Sequence, residues 1–416
     1  MIALLLASTL GAQPGGVLFR GATLHIGNGN VVSDGILAIR NGLIEYCGSA
    51  AEMPAGRTYA QEKLLHGQHI YPALIALNSS IGLREIDAVR ATLDMAEVGE
   101  YNPHVRSMPA FNTDSKIIPT VRSNGVLMVQ AVPQRGVLSG SSSVFRLDGW
   151  NWEDALLKAD DGLHLHWPEL PRAGASDSAR SEKVLHKKAE ILNYFTEARA
   201  YAQGKPNSKN LRFEAMRGLW TGKQTLFMHC DGARELAEAI PALKQRGVQK
   251  LVVVGGAQSH AVIPLLKAYQ IPVVLSRIHR LPDTEDQDVR FPFKLPALLH
   301  DSGITVALSY DGDMEAMGTR NLAFTAGTAS AYGLSSEEAL AMISLHPARI
   351  LGIDQEAGSL ETGKKAHFVI SRGDLLDMRT ASVSEAWLDG RSLSLLNHQK
   401  ELWLKYAARY GLSVQD

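Results

Sequence analysis

Neither sign of charge prevails in this chain: 42 Lys and Arg stand against 43 Asp and Glu, a formal net charge of −1 over 416 residues. Such a balance creates no field to recruit nucleic acid or an anionic membrane. No basic run with interleaved aromatics occurs either. Cysteine is nearly missing, and the two present, Cys47 and Cys230, read as small buried hydrophobes rather than a bridge. Long apolar runs are missing after the first dozen residues, so no membrane span is expected. No repeat of fixed period appears. Disorder is excluded in turn, because 45% of residues are hydrophobic and only 20% charged.

The first dozen residues are the one sustained apolar stretch. Met1 to Ala12 ends in small residues and runs into Gln13-Pro14-Gly15-Gly16. It is too short to span a bilayer but suits the core and cleavage site of a signal peptide. Residues 1–12 are therefore expected to direct export, to a periplasm or outside the cell.

Two patterns divide the rest. From Val17 to Ile70 short β-prone runs alternate with turns such as Gly27-Asn28-Gly29-Asn30 and Asn41-Gly42. Such a sheet cannot close its own core. The same style returns near the other end, at Ala366–Ile370 and Ser384–Leu388. The expected partition is a composite β-sandwich from 13–70 and 357–396, a barrel over 71–356 and a helical tail over 397–416. Between the two ends, nearly continuous apolar strands alternate with amphipathic helices: Val126–Val132, Thr225–His229, Lys250–Gly255, Pro272–Leu275 and Thr305–Ser309. That alternation indicates a buried parallel sheet, as a barrel or doubly wound. The length suits a barrel of about 250 residues plus a second unit. Residues 167–210 read as a polar helical insertion on the rim.

The C-terminal third carries a specific resemblance. Gly333-Leu334-Ser335-Ser336-Glu337-Glu338-Ala339-Leu340, His346-Pro347-Ala348-Arg349-Ile350-Leu351-Gly352 and Gly358-Ser359-Leu360-Glu361-Thr362-Gly363-Lys364 follow one another as in the amidohydrolase superfamily, closest to its imidazolonepropionase-like branch. The resemblance implies a (β/α)8 TIM-type barrel with a small β-sandwich formed from both chain ends. It also implies a metal-dependent hydrolase acting on carbon–nitrogen bonds other than peptide bonds, with its chemistry at the C-terminal mouth. The cofactor would be a divalent metal such as zinc.

The metal motif departs from that pattern. The family's first barrel strand runs Pro-Gly-Leu-Ile-Asp-x-His-x-His, whereas this chain has Pro72-Ala73-Leu74-Ile75-Ala76-Leu77-Asn78-Ser79-Ser80. His-x-His aims two imidazoles one way along a strand; Asn78 and Ser80 offer neutral oxygens, poor ligands for such an ion. Gly255 stands where the strand-six histidine is expected. By the same resemblance, His229 matches the strand-five metal ligand, and Asp311 matches the aspartate that binds metal and takes the proton of the attacking water.

Other candidates come from the residues alone. Arg277, His279 and Arg280 follow a strand end and offer donors to a substrate carboxylate or phosphate; the same run also reads as a solvated loop. His164-Leu165-His166 has ligand spacing but no third partner and reads as structural or exposed. Gly136–Ser143 is a small-residue loop, either anion-presenting or a flexible turn. Gly358–Lys365 imitates a phosphate-binding loop but precedes a strand, so it is a turn. Two functions follow: a hydrolase of a small amide or cyclic amide, or a catalytically impaired barrel that binds a small ligand. The partner is a small molecule in either case, with a homo-oligomer or a pairing with an active homologue as the assembly.

Overall fold

A computed structural model describes residues 15–169, 178–205, 208–283, 285–312 and 314–413. The expected signal peptide, part of the 167–210 insertion and Asp313 lie outside the described residues. Among those described, no helix is long and apolar enough to cross a membrane.

The two chain ends build one eight-stranded sheet. Its N-terminal members are β1 (Val17–His25), β2 (Val31–Arg40), β3 (Leu43–Ser49), β4 (Gln61–Leu64) and β5 (His69–Pro72), and its C-terminal members are β14 (Phe368–Ser371), β15 (Val383–Leu388) and β16 (Arg391–Leu393). The halves join where β5 pairs antiparallel with β14, Pro72 opposite Phe368. Strand β1 runs beside β4 in its first half and beside β5 in its second. Phe19, Phe368 and Trp387 pack with centroids 5.3–5.6 Å apart, supplying an apolar core that neither half could close alone.

The barrel is threaded between these halves. Its strands are β6 (Leu74–Ser79), β7 (Val126–Ala131), β8 (Leu138–Arg146), β9 (Leu156–His166), β10 (Thr225–Cys230), β11 (Lys250–Gly255), β12 (Val273–Leu275) and β13 (Val306–Leu308), hydrogen-bonded in that order. The wall closes through backbone bonds from Ile75 N to Ile343 O and from Leu308 N to Met342 O, 2.9 and 3.0 Å. Leu251, Val252, Val253 and Val254 in β11 are all buried, each contributing about 1.5–3 kcal/mol. An amphipathic helix, Ala233–Gln245, follows β10, and the tail helix expected within 397–416 is found at His398–Tyr410.

One strand departs from the pure β/α pattern. β8 is antiparallel to both neighbours, and it contains most of Gly136–Ser143, which is therefore strand rather than loop. Ser139, Ser141, Ser142 and Ser143 are all buried. A Cβ at Gly140 would come 2.7 Å from the Val105 carbonyl oxygen, so small side chains are what this crowded wall admits. Both cysteines are free, Cys230 buried and Cys47 partly so.

Candidate active site

Parallel pairing of β9 and β10 sets His166 opposite His229 and His164 opposite Phe227. Alternate strand residues share a face, so the two histidines of His164-Leu165-His166 and the pair Phe227/His229 meet. His164 stacks on Phe227 at 4.9 Å and 6°, and His166 on His229 at 4.2 Å and 23°. The His164 Nδ1 atom is 2.9 Å from His229 Nε2, and its Nε2 atom is 3.0 Å from Ser142 Oγ. Gln130 Nε2 donates to Ser142 Oγ at 3.2 Å and to Asp161 Oδ2 at 2.8 Å. A polar chain thus runs from Asp161, through Gln130 and Ser142, to His164 and His229. Of the two readings, structural or exposed, the second fails: His164 is fully buried in the barrel.

Burial controls the protonation of this chain. It holds His164 and His229 well below the ordinary imidazole value, with the neighbouring histidines adding to the effect. It lowers His166 as well, while the charge of Asp311 works the other way. It pushes the Asp161 carboxyl up to about 6, against hydrogen bonds from Gln130 and Ser142. Three neutral imidazoles are therefore gathered where the strands end.

At the mouth, Asp311 follows β13 and is exposed, its Oδ1 accepting from the Gly312 amide at 2.7 Å. Arg277, just past β12, lies 5.4 Å from the Tyr310 ring centroid, and its guanidinium reaches the Asp311 carbonyl at 3.4 Å. The two share a cavity of about 270 Å³ with Asp231 and Arg280. His279 points elsewhere: it pairs with Thr328 Oγ1 at 2.7 Å in a separate cavity of about 590 Å³ beside Phe324 and Asp374. Of the two substrate-binding candidates, Arg277 joins Asp311 and His279 does not. His260 sits edge-on to Phe291 at 4.6 Å.

Asn78 and Ser80 bond to side chains from elsewhere in the chain. Asn78 adopts a left-handed backbone, φ +53°, and its amide donates to Gln130 Oε1 at 3.2 Å. Ser80 donates through its amide and its hydroxyl to Glu315 Oε2, at 3.0 and 2.6 Å. Glu315 is buried, which raises its carboxyl above the usual range despite hydrogen bonds from Ser79, Ser80 and Thr319. At Gly255, φ +100°, a Cβ would stand 2.7 Å from Asp231 Oδ1. Asp231 reaches there because its Oδ1 accepts from the Ala257 amide at 3.0 Å. Although solvent-accessible, Asp231 is ringed by protein, and burial raises its carboxyl.

These donors do not fit a catalytic divalent ion. Whichever tautomer His164 adopts, His229 Nε2 is engaged with it, as donor or acceptor, and Ser80 Oγ is committed to Glu315. Among the described residues no three His, Cys, Asp or Glu side chains converge as a ligand set, whereas catalytic zinc takes three protein ligands.

Asp161, Asp231 and Glu315 are not evident as site residues in the sequence. Asp161 lies inside a strand, and Glu315 lies beyond Asp311 in a short helix, Glu315–Gly318. Asp231 had a usable signal, an acidic residue immediately past the His229 strand.

Residues 238–393 match the Amidohydrolase family. Over 38 residues, 9% of each chain, the sequence is 58% identical to imidazolonepropionase of Erwinia tasmaniensis. It is 29% identical over 133 residues, 29% of this chain and 13% of the other, to amidohydrolase tasK of Hapsidospora irregularis. The chain thus spans about a tenth of the length of these curated relatives. A crystal structure of an amidohydrolase from Thermotoga maritima superimposes with a TM-score of 0.77 at 24% identity, covering 91% of this chain and 99% of that one. At that identity the likeness speaks for the fold alone.

Proposed function

We propose that this chain, whose residues 238–393 match the Amidohydrolase family, hydrolyses a carbon–nitrogen bond, other than a peptide bond, in a small amide or cyclic amide. The observation that carries this reading is the cavity that Asp311 shares with Asp231 and Arg277 past the ends of the strands, at the C-terminal mouth where this fold places its chemistry. Asp311 accepts a proton as water attacks the carbonyl carbon. The C–N bond then breaks, and the departing nitrogen takes that proton back from Asp311. Arg277, beside Asp311, anchors an anionic group of the substrate. His164 acts through His229 as a positioning residue, held by Ser142. No step passes through a metal, since the donor set does not fit one.

Ser80 and Asn78, bound to Glu315 and Gln130, favour a second reading: a barrel that binds a small ligand at the mouth without turning it over. Release of amine or ring-opened acid from a panel of small amides, lactams and cyclic ureides decides between them. Turnover by the wild type that falls by about 10²–10⁴-fold in Asp311→Asn supports the hydrolase. Absence of turnover across the panel, with ligands still binding at the mouth, supports the second reading. Turnover unchanged in Asp311→Asn removes Asp311 from the mechanism.

A further inference from the structure

The opposite end of the barrel carries another cavity, of about 300 Å³, at the edge of the size range of small-molecule sites. Its walls come from strand starts. Lys158 lies near the beginning of β9, Lys223 just before β10, and Lys250 opens β11. Lys244 in the helix Ala233–Gln245 and Arg349 in the helix Leu345–Leu351 close the ring. Five cations thus line one concavity, and no carboxylate lines it with them.

The bland expectation for basic residues at this end is solvated side chains. Three features oppose it. First, cations elsewhere in the molecule are often neutralised, as in Lys63–Glu385, Lys187–Glu190 and Lys364–Glu361. None of these five pairs with a described carboxylate within 4.0 Å, although Asp161 acts on Lys158 from inside the barrel. Second, two of the ammonium groups are held in place: Lys158 Nζ donates to Leu351 O at 2.5 Å and Lys244 Nζ to Gln249 O at 2.8 Å. Each still has two N–H donors to offer. Third, five like charges gathered on a chain of net charge −1 repel one another, a cost that a bound anion removes.

We propose that this cavity binds a small molecule bearing two or more phosphate groups. One phosphate brings about two negative charges and would leave most of the five cations unanswered. A diphosphate brings about three and has enough oxygens for both tethered lysine ammonium groups and the Arg349 fork. Val252, Pro272 and Tyr269 give the cavity an apolar side, so the organic part of such a ligand has surface to lie on.

Titration calorimetry of the full chain with inorganic pyrophosphate and with inorganic phosphate, at low salt, tests this. Pyrophosphate is expected to bind at least about tenfold more tightly than phosphate. The double variant K223S/K250S, at two exposed positions, should weaken pyrophosphate binding about tenfold or more. K405S/R409S removes the same charge from the tail helix and should leave it unchanged. Acetylation footprinting of the wild type supplies a readout independent of the variants: pyrophosphate should shield Lys223, Lys244 and Lys250 but not Lys405. Absence of binding into the millimolar range, equal weakening in both double variants, or equal shielding of Lys405 would overturn the proposal.

Discussion

Replacing Asp161 by Asn should stabilise the protein at neutral pH and do nothing in acid. The carboxyl is fully buried and sits at about 6 instead of 3.8. Its Oδ2 accepts from Gln130, while Oδ1 has no hydrogen-bond partner among the described residues. The folded state therefore holds this proton more tightly than the unfolded chain. Below about pH 3.8 both states are protonated and the buried charge costs nothing. As pH rises through 3.8 towards 6, the unfolded chain ionises first, and folding loses stability. Above 6 the loss is complete, about 3 kcal/mol at 1.36 kcal/mol per pKa unit. Asn keeps an acceptor for Gln130 and carries no charge, so Asp161→Asn recovers part of that, about 1–3 kcal/mol after losing the attraction of Lys158. Urea unfolding of both proteins at pH 4 and pH 7.5 measures it. Using the difference between them cancels the histidine titrations that fall in the same window. A difference that is equal at the two pH values, or a variant less stable than wild type at pH 7.5, would refute the reasoning.

Three further outcomes are expected. Gly255→Ala forces a Cβ to 2.7 Å from Asp231 Oδ1 at φ +100°, and thermal unfolding should register a loss of about 1–3 kcal/mol; a neutral substitution would mean Asp231 is free to move away. Ser80→Ala removes the hydroxyl from the buried Glu315 carboxylate and should cost about 1–3 kcal/mol in urea unfolding, whereas Ser80→Thr keeps the donor and should recover most of it. His164 and His229 are held neutral when folded, so stability is fully present above the unfolded imidazole value near 6.5 and declines as pH falls below it. Substituting His164 by Gln should flatten that acid decline between pH 6.5 and 5, and an unaltered slope would place the acid-labile groups elsewhere.

The order and kind of elements were legible in the residues. Apolar runs such as Leu251–Val254 have nowhere to go but a wall buried on both sides, and turn-rich strands at both ends need each other to close a core, which Pro72 opposite Phe368 achieves. The absence of histidine at 78, 80 and 255 is equally a fact of sequence. Which groups those positions meet is not. Ser80 meets Glu315 across 235 positions, and Asp231 fills the space beside Gly255 only because the turn after β11 presents the Ala257 amide.

His164-Leu165-His166 shows the limit best. Its spacing was visible, but with no third partner in the sequence it read as structural or exposed. The hydrogen-bonding neighbour it does meet, His229, comes from the adjacent strand, and strand register is a long-range choice made by packing. Likewise, Arg277 and His279 are two residues apart, yet only Arg277 turns to Asp311 while His279 pairs with Thr328 on a helix. By itself, then, the sequence determined the barrel and the clasp of its two ends, and it put Asn78, Ser80 and Gly255, rather than histidines, at three positions. Tertiary structure alone decided which polar groups meet inside it, because buried groups must find partners wherever the closed wall brings them.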